Sequence, residues 1–164
     1  AQDWKQIERD ADRLYIMTYT EHYKGSQPGS SGSLPWIKRV IDYAVNTVKI
    51  PPKKIFLGIG LFGLEWVESS QGQYRGTGDD LTYMQILSVI GSYDATPVWD
   101  QIAESNKLEY QKGGIKHIIW YDDAKSQKVR VELAKTNGLG GVALWRLGKE
   151  DKEIWNKLPK RQNP

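Results

Sequence analysis

At 164 residues, the chain is sized for one domain, or for one domain carrying a sizeable insertion, and its formal charge of +3 is too small and too scattered to mark a nucleic-acid binder. It has no cysteine, which excludes disulfides, thiolate catalysis and cysteine-held metal. No apolar run approaches the roughly 18 residues needed to span a membrane. Seven Trp and nine Tyr against two Phe is an unusual aromatic balance, suited to half-buried packing or to stacking on sugar rings.

The chain opens Ala1-Gln2-Asp3-Trp4, directly in helical pattern and without an initiator Met, and reads as a cut chain. Asp3–Asp12 is expected to be helical, with Trp4, Ile7 and Ala11 forming one buried stripe. Leu14–Tyr19 follows as a strand, and Glu21–Ser33, four serines and three glycines among thirteen residues, as a long loop. Ser33 is a good N-cap with Pro35 in the first turn, and the helix behind it buries Leu34, Ile37, Ile41, Ala44, Val45 and Val48 until Pro51-Pro52 stops it. Lys54–Leu61 reads as a second strand, apolar on both faces.

Between Trp66 and Tyr121 the alternation of strand and helix breaks. Ser69–Gly78 reads as a turn or hairpin tip, Leu81–Ile90 as a helix capped by Asp80, and Lys107–Gln111 with Ile115–Tyr121 as a hairpin turning at Gly113-Gly114. The rhythm then returns with a helix over Lys125–Asn137, stopped at Asn137-Gly138, and the strand Val142–Trp145. A helix is expected within Glu150–Leu158, and Lys160–Pro164 is expected to fray. The fold class is therefore α/β, with a parallel sheet, helical crossovers and a compact α+β insertion.

Three strand ends point the same way: Met17–Thr20, Gly60–Gly63 and Leu144–Arg146. The carboxyl ends of parallel strands are where such folds bind ligands. Tyr19 offers a hydroxyl, Met17 a soft wall and Trp145 a flat apolar floor, a set suited to a sugar ring and poorly equipped for acid–base chemistry. A buried core Trp is the competing reading of Trp145. Asp79-Asp80 and Asp122-Asp123 read as helix caps or solvated turns, and the separation of His22 from His117 implies no metal site.

Four motifs carry a family resemblance: MTYTEHY at Met17–Tyr23, KIFLGIGLFG at Lys54–Gly63, YDDAKSQKVRVELAK at Tyr121–Lys135 and GLGGVALWRLG at Gly138–Gly148. In this order they resemble the sixth, seventh and eighth strand regions of family 18 glycoside hydrolases. The loop SQPGSSGSLPW, Ser26–Trp36, resembles the branch that cleaves spore-cortex peptidoglycan. The resemblance implies the C-terminal part of a (β/α)8 TIM barrel, about three βα units over residues 1–66 and 122–164, with an α+β insertion over 67–121. It implies retaining hydrolysis of β-1,4 bonds in N-acetylglucosamine-containing glycans, peptidoglycan or chitin-like, with the substrate's own N-acetyl oxygen as nucleophile. Tyr19 would hydrogen-bond the acetamido group, Met17 line the pocket and Trp145 form the floor. No cofactor is implied, and the location implied is secreted, cell-envelope or spore, in a bacterium.

The chain departs from the family pattern at Thr20, where an Asp commonly follows M-x-Y, and at Phe62 and Leu64, where chitinases commonly carry Tyr and Arg. The acidic signature D-x-x-D-x-D-x-E of the fourth strand appears nowhere in the chain, so it supplies no catalytic acid itself. Two readings stay open: part of a glycosidase, or a non-catalytic sugar-binding relative. A third makes the insertion a binding or dimerisation module. Three strands leave open edges and an inner face expected to carry Ile16, Leu57 and Leu144. The expected partners are therefore the N-terminal barrel half or a second copy, besides the glycan.

Overall fold

The computed structural model describes residues 2–158. The expected fray at Lys160–Pro164 lies outside them. Asp3 caps α1 (Trp4–Asp10) by accepting from the Gln6 amide at 3.0 Å. The expected stripe is only partly covered: Ile7 is 41% exposed, and the residue of α1 that is buried is Glu8. Lys5 and Lys54 each reach the Glu8 carboxylate at 3.0 Å, which is how a charged side chain replaces an apolar one there.

β1 (Leu14–Met17) precedes the long loop, and α2 (Leu34–Asp42) follows it, with Ser33 accepting from the Trp36 amide. The helix continues as a π-helical turn over Tyr43–Thr47. Next come β2 (Ile55–Gly60), β3 (Gly63–Glu68), β4 (Tyr74–Leu81) and α3 (Tyr83–Tyr93). The chain then forms β5 (Val98–Asp100), β6 (Ser105–Lys112) and β7 (Ile115–Tyr121), with Gly113 and Gly114 at positive φ between the last two. It closes with α4 (Ala124–Thr136), β8 (Gly141–Trp145) and a single turn, α5 (Ile154–Lys157), inside the stretch expected to hold the terminal helix.

Two sheets divide these strands. The first is parallel, in the order β1-β2-β8, and the second is antiparallel, in the order β4-β3-β7-β6-β5. The second sheet opens at Gly63, ahead of the expected boundary at residue 67. Sequence patterning missed three of its strands. β3 and β5 were not anticipated, and most of β4 falls in the stretch read as a turn or hairpin tip. β4, YRGTGDDL, has low intrinsic strand preference; pairing with β3 overrides it.

Register decides which face of the parallel sheet is covered. Leu14 pairs with Ile55, and Leu57 packs with Ile37 and Ile41 of α2. Ile16 pairs with Leu57, and Leu144 with Ile59, so strand alternation sets all three residues expected on the inner face onto the helix-covered side. The opposite face instead carries Tyr15, Met17, Phe56, Gly58, Gly60, Ala143 and Trp145. Tyr15, Met17 and Trp145 there are 57%, 61% and 53% exposed. This is the α/β arrangement of one segment of a barrel wall, three strands wide; no barrel closes among the described residues.

Candidate functional site

The carboxyl ends of β1, β2 and β8 lie side by side, locked together by two hydrogen bonds. The buried Thr18 hydroxyl donates to Gly58 O at 2.6 Å, and the Leu61 amide donates to Trp145 O at 2.7 Å. Tyr19 then lies across β2. A Cβ on Gly58 would sit 3.0 Å from Tyr19 Cε1, and one on Gly60 3.1 Å from Tyr19 Cβ, so the two glycines give the ring its seat. Phe62 meets Tyr19 edge-on, with centroids 5.9 Å apart. Burial pushes the Tyr19 phenol above its ordinary pKa, so at neutral pH it is a hydrogen-bond donor.

Tyr19, Phe62 and Trp145 line one cleft of about 310 Å³, which the antiparallel sheet completes with Leu64, Trp66 and Asp79. Two of the three residues singled out from sequence, Tyr19 and Trp145, thus meet. Met17 does not join them: it lies in an apolar groove along the free edge of β1, with Trp4, Ile7 and Trp36. The Trp145–Arg146 peptide is cis.

The long loop Glu21–Ser33 is fastened at both ends. Trp66 Nε1 donates to Ser26 O at 2.9 Å, and the Gly76 amide donates to Lys24 O at 3.2 Å. At the other end Ser33 N donates to Glu21 Oε2 at 2.7 Å, and Arg130 Nη2 to Gly32 O at 2.8 Å. Glu21 therefore serves the loop, by holding the Ser33 amide. The loop thus runs from the end of β1 onto β3 and β4 of the antiparallel sheet.

The acidic pairs divide differently from expectation. Asp123 does cap α4, accepting from Ser126 N at 2.9 Å, but Asp122 is buried against Arg130 Nε at 3.1 Å. Asp80 caps nothing. It sits on β4, paired with Lys149 Nζ at 3.0 Å, and α3 is capped by Thr82 instead. Asp79 and Asp80 both line the cleft, which sequence reasoning missed because β4 was read as a turn. On β3, Glu65 Oε1 accepts from Tyr110 Oη at 2.5 Å and lies 2.9 Å from His117 Nδ1.

The arrangement is a parallel βα wall with an aromatic cleft at its strand ends and an antiparallel sheet as the cleft's second side. Glycosyl hydrolases family 18 matches residues 1–150, and the chain belongs to that family. It is 30% identical over 159 residues to the uncharacterized glycosylase YvbX of Bacillus subtilis, covering 96% of this chain and 44% of the relative. The crystal structure of a chitinase from Chromobacterium violaceum superposes with a TM-score of 0.83 at 30% identity, covering 93% of this chain and 46% of the other. The Bacillus cereus spore cortex-lytic enzyme SleL superposes with a TM-score of 0.84 at 26% identity, covering 94% of this chain and 36% of that one. Within the family the chain is closely related to the spore-cortex-lytic branch. It spans less than half the length of these relatives.

Proposed function

We propose that the chain supplies the C-terminal strand ends of a family 18 glycosidase site that acts on β-1,4-linked, N-acetylglucosamine-containing glycans of peptidoglycan or chitin type. The observation that carries the reading is the meeting of Tyr19 and Trp145 in one cleft at the carboxyl ends of parallel strands, with Trp145 more than half exposed. A core Trp would be covered; this one offers its indole face to a ligand. In this reading Trp145 is the floor under the sugar, and Tyr19 donates its phenol to the acetamido oxygen that closes on the anomeric carbon. Met17 enters only through whatever strand comes to lie beside β1.

Hydrolysis needs a proton donor for the leaving oxygen, and the acidic signature that supplies it in the family is absent from this sequence. The chain is accordingly read as a substrate-holding wall whose chemistry requires the rest of a barrel, with action outside the cytoplasm or at the spore. Thr20, in place of the usual Asp, favours a second reading, a sugar-binding relative without turnover.

The test compares Trp145→Ala with Trp155→Ala in the full-length protein. Trp155 lies on the terminal turn, away from the strand ends. Loss of an aromatic platform is worth roughly 1–3 kcal/mol per stacked ring, by analogy with base stacking. Hydrolysis of N-acetylglucosamine oligomers is therefore expected to fall about fivefold or more for Trp145→Ala and to stay within about twofold for Trp155→Ala. Equal, small effects from both would place Trp145 among ordinary packing residues. Sugar binding without turnover by the unsubstituted protein would select the second reading.

A further inference from the structure

The antiparallel sheet is joined to the parallel one by two short stretches of chain, Leu61-Phe62 between β2 and β3 and Asp122-Asp123 between β7 and α4. A third connection is not covalent. Beyond Trp145 the chain turns at Leu147 and Gly148, the glycine at φ +91°, and the Lys149 amide closes the turn by donating to Arg146 O at 3.4 Å. The segment that follows crosses the base of the insertion. Lys149 O accepts from the Tyr83 amide at 2.9 Å, at the first residue of α3. Asp151 Oδ2 accepts from the Ala124 amide at 3.0 Å, at the first residue of α4.

Lys149 is the centre of this crossing. Its Nζ donates to Asp80 Oδ2 at 3.0 Å and to Asp80 O at 3.3 Å, and its side chain is only 13% exposed. Asp80 lies on β4 and lines the cleft beside Asp79. Upstream of the turn, Trp145 lines the same cleft, with its carbonyl held by the Leu61 amide. The lysine thus ties the strand end that bears the indole to the strand that supplies another side of the cleft. No other ion pair among the described residues joins the segment after β8 to the antiparallel sheet. An exposed pair of long side chains contributes little, because solvent screens it and ordering it costs entropy; this lysine is covered and is also held through its own backbone.

We infer that Lys149 is a positioning residue of the proposed site: clasped to Asp80, it holds β4 against the Trp145 strand end in the arrangement that receives a sugar ring. This rests on the reading of Tyr19 and Trp145 as a sugar-binding cleft. Lys149 touches no ligand and moves no proton. It acts through Asp80 and through the turn that leads back to Trp145. Loss of its ammonium lets β4 shift relative to the indole, so affinity falls while Tyr19 and Trp145 themselves are intact.

The test is calorimetric titration of the full chain with an uncharged N-acetylglucosamine disaccharide, joined to the indole spectrum of the ligand-free, isotope-labelled chain. Lys149→Met is expected to weaken binding about threefold, the range of one partly exposed ion pair, and to move the Trp145 indole resonance. A double-mutant cycle separates positioning from direct contact by Asp80. With the pair acting as a unit, Lys149→Met combined with Asp80→Asn loses no more affinity than Lys149→Met alone. Lys54→Met breaks the 3.0 Å pair with Glu8 at the other end of β2, and should change neither the affinity nor the indole resonance. Unchanged binding or an unmoved indole in Lys149→Met, losses that multiply in the double variant, or an equal loss in Lys54→Met would overturn the role of Lys149 and leave the sugar-binding cleft standing. Failure of the unsubstituted chain to bind the disaccharide would overturn the cleft reading and this inference with it.

Discussion

Arg130 ties together segments distant in sequence. Its Nη1 donates to Glu104 O at 3.0 Å and Ser126 O at 2.9 Å, its Nη2 donates to Gly32 O, and its Nε meets Asp122 Oδ2. Ser105 donates to the other oxygen of Asp122 at 2.5 Å. Burial pushes the Asp122 carboxyl up, and the guanidinium and hydroxyl pull it back. Removing the guanidinium leaves a buried carboxylate unpaired and frees Gly32 in the long loop. Arg130→Met should therefore cost about 3–5 kcal/mol in urea unfolding. A loss below about 1 kcal/mol would mean that water replaces the arginine. None of this was legible in sequence, where VRVELAK reads as an ordinary helix and Asp122-Asp123 as helix caps or solvated turns. By contrast, the meeting of Tyr19 and Trp145 at neighbouring strand ends was legible, because each closes a strand motif of the parallel sheet.

Among the elements, those with both a periodic core and a cap were readable. α2 has Ser33 before it and Ile37, Ile41 and Ala44 along one face, and it forms where expected. α3 was found, but its start was misplaced by two residues, because Asp80 looks like a cap when β4 is not seen. The actual cap is a reciprocal pair: Gln85 N donates to Thr82 Oγ1 at 3.2 Å, and Thr82 N donates to Gln85 Oε1 at 2.8 Å. Thr82→Ala should destabilise the chain by about 1 kcal/mol and speed amide exchange at Gln85, while Asp80→Ala should leave that amide protected. Faster exchange at Gln85 in Asp80→Ala alone would return the cap to Asp80. β3 and β4 escaped sequence reading for a different reason. Their partners are each other and β7, which local patterning does not contain.

On the scale of the molecule, the uncovered face is the inner one, and its exposed residues are Tyr15, Met17 and Trp145 rather than the aliphatic side chains expected from sequence. Among the described residues β1 and β8 each keep a free edge, and the groove beside β1 is apolar. Covering about 400 Å² of such surface at about 25 cal/mol/Å² is worth on the order of 10 kcal/mol. The chain alone should therefore associate, with itself or with the strands that complete a barrel. Light scattering on an eluting peak should report more than one chain; a monodisperse monomer at micromolar concentration would contradict this. The central claim is that the strand ends form a site for an N-acetylated sugar. It is tested most directly by titrating isotope-labelled chain with an N-acetylglucosamine disaccharide and following amide, indole and aromatic resonances. The account predicts saturable shifts at the Trp145 indole and at Tyr19 and Phe62, with the Trp155 indole unmoved. Shifts confined to other surfaces, or none at millimolar sugar, would contradict it.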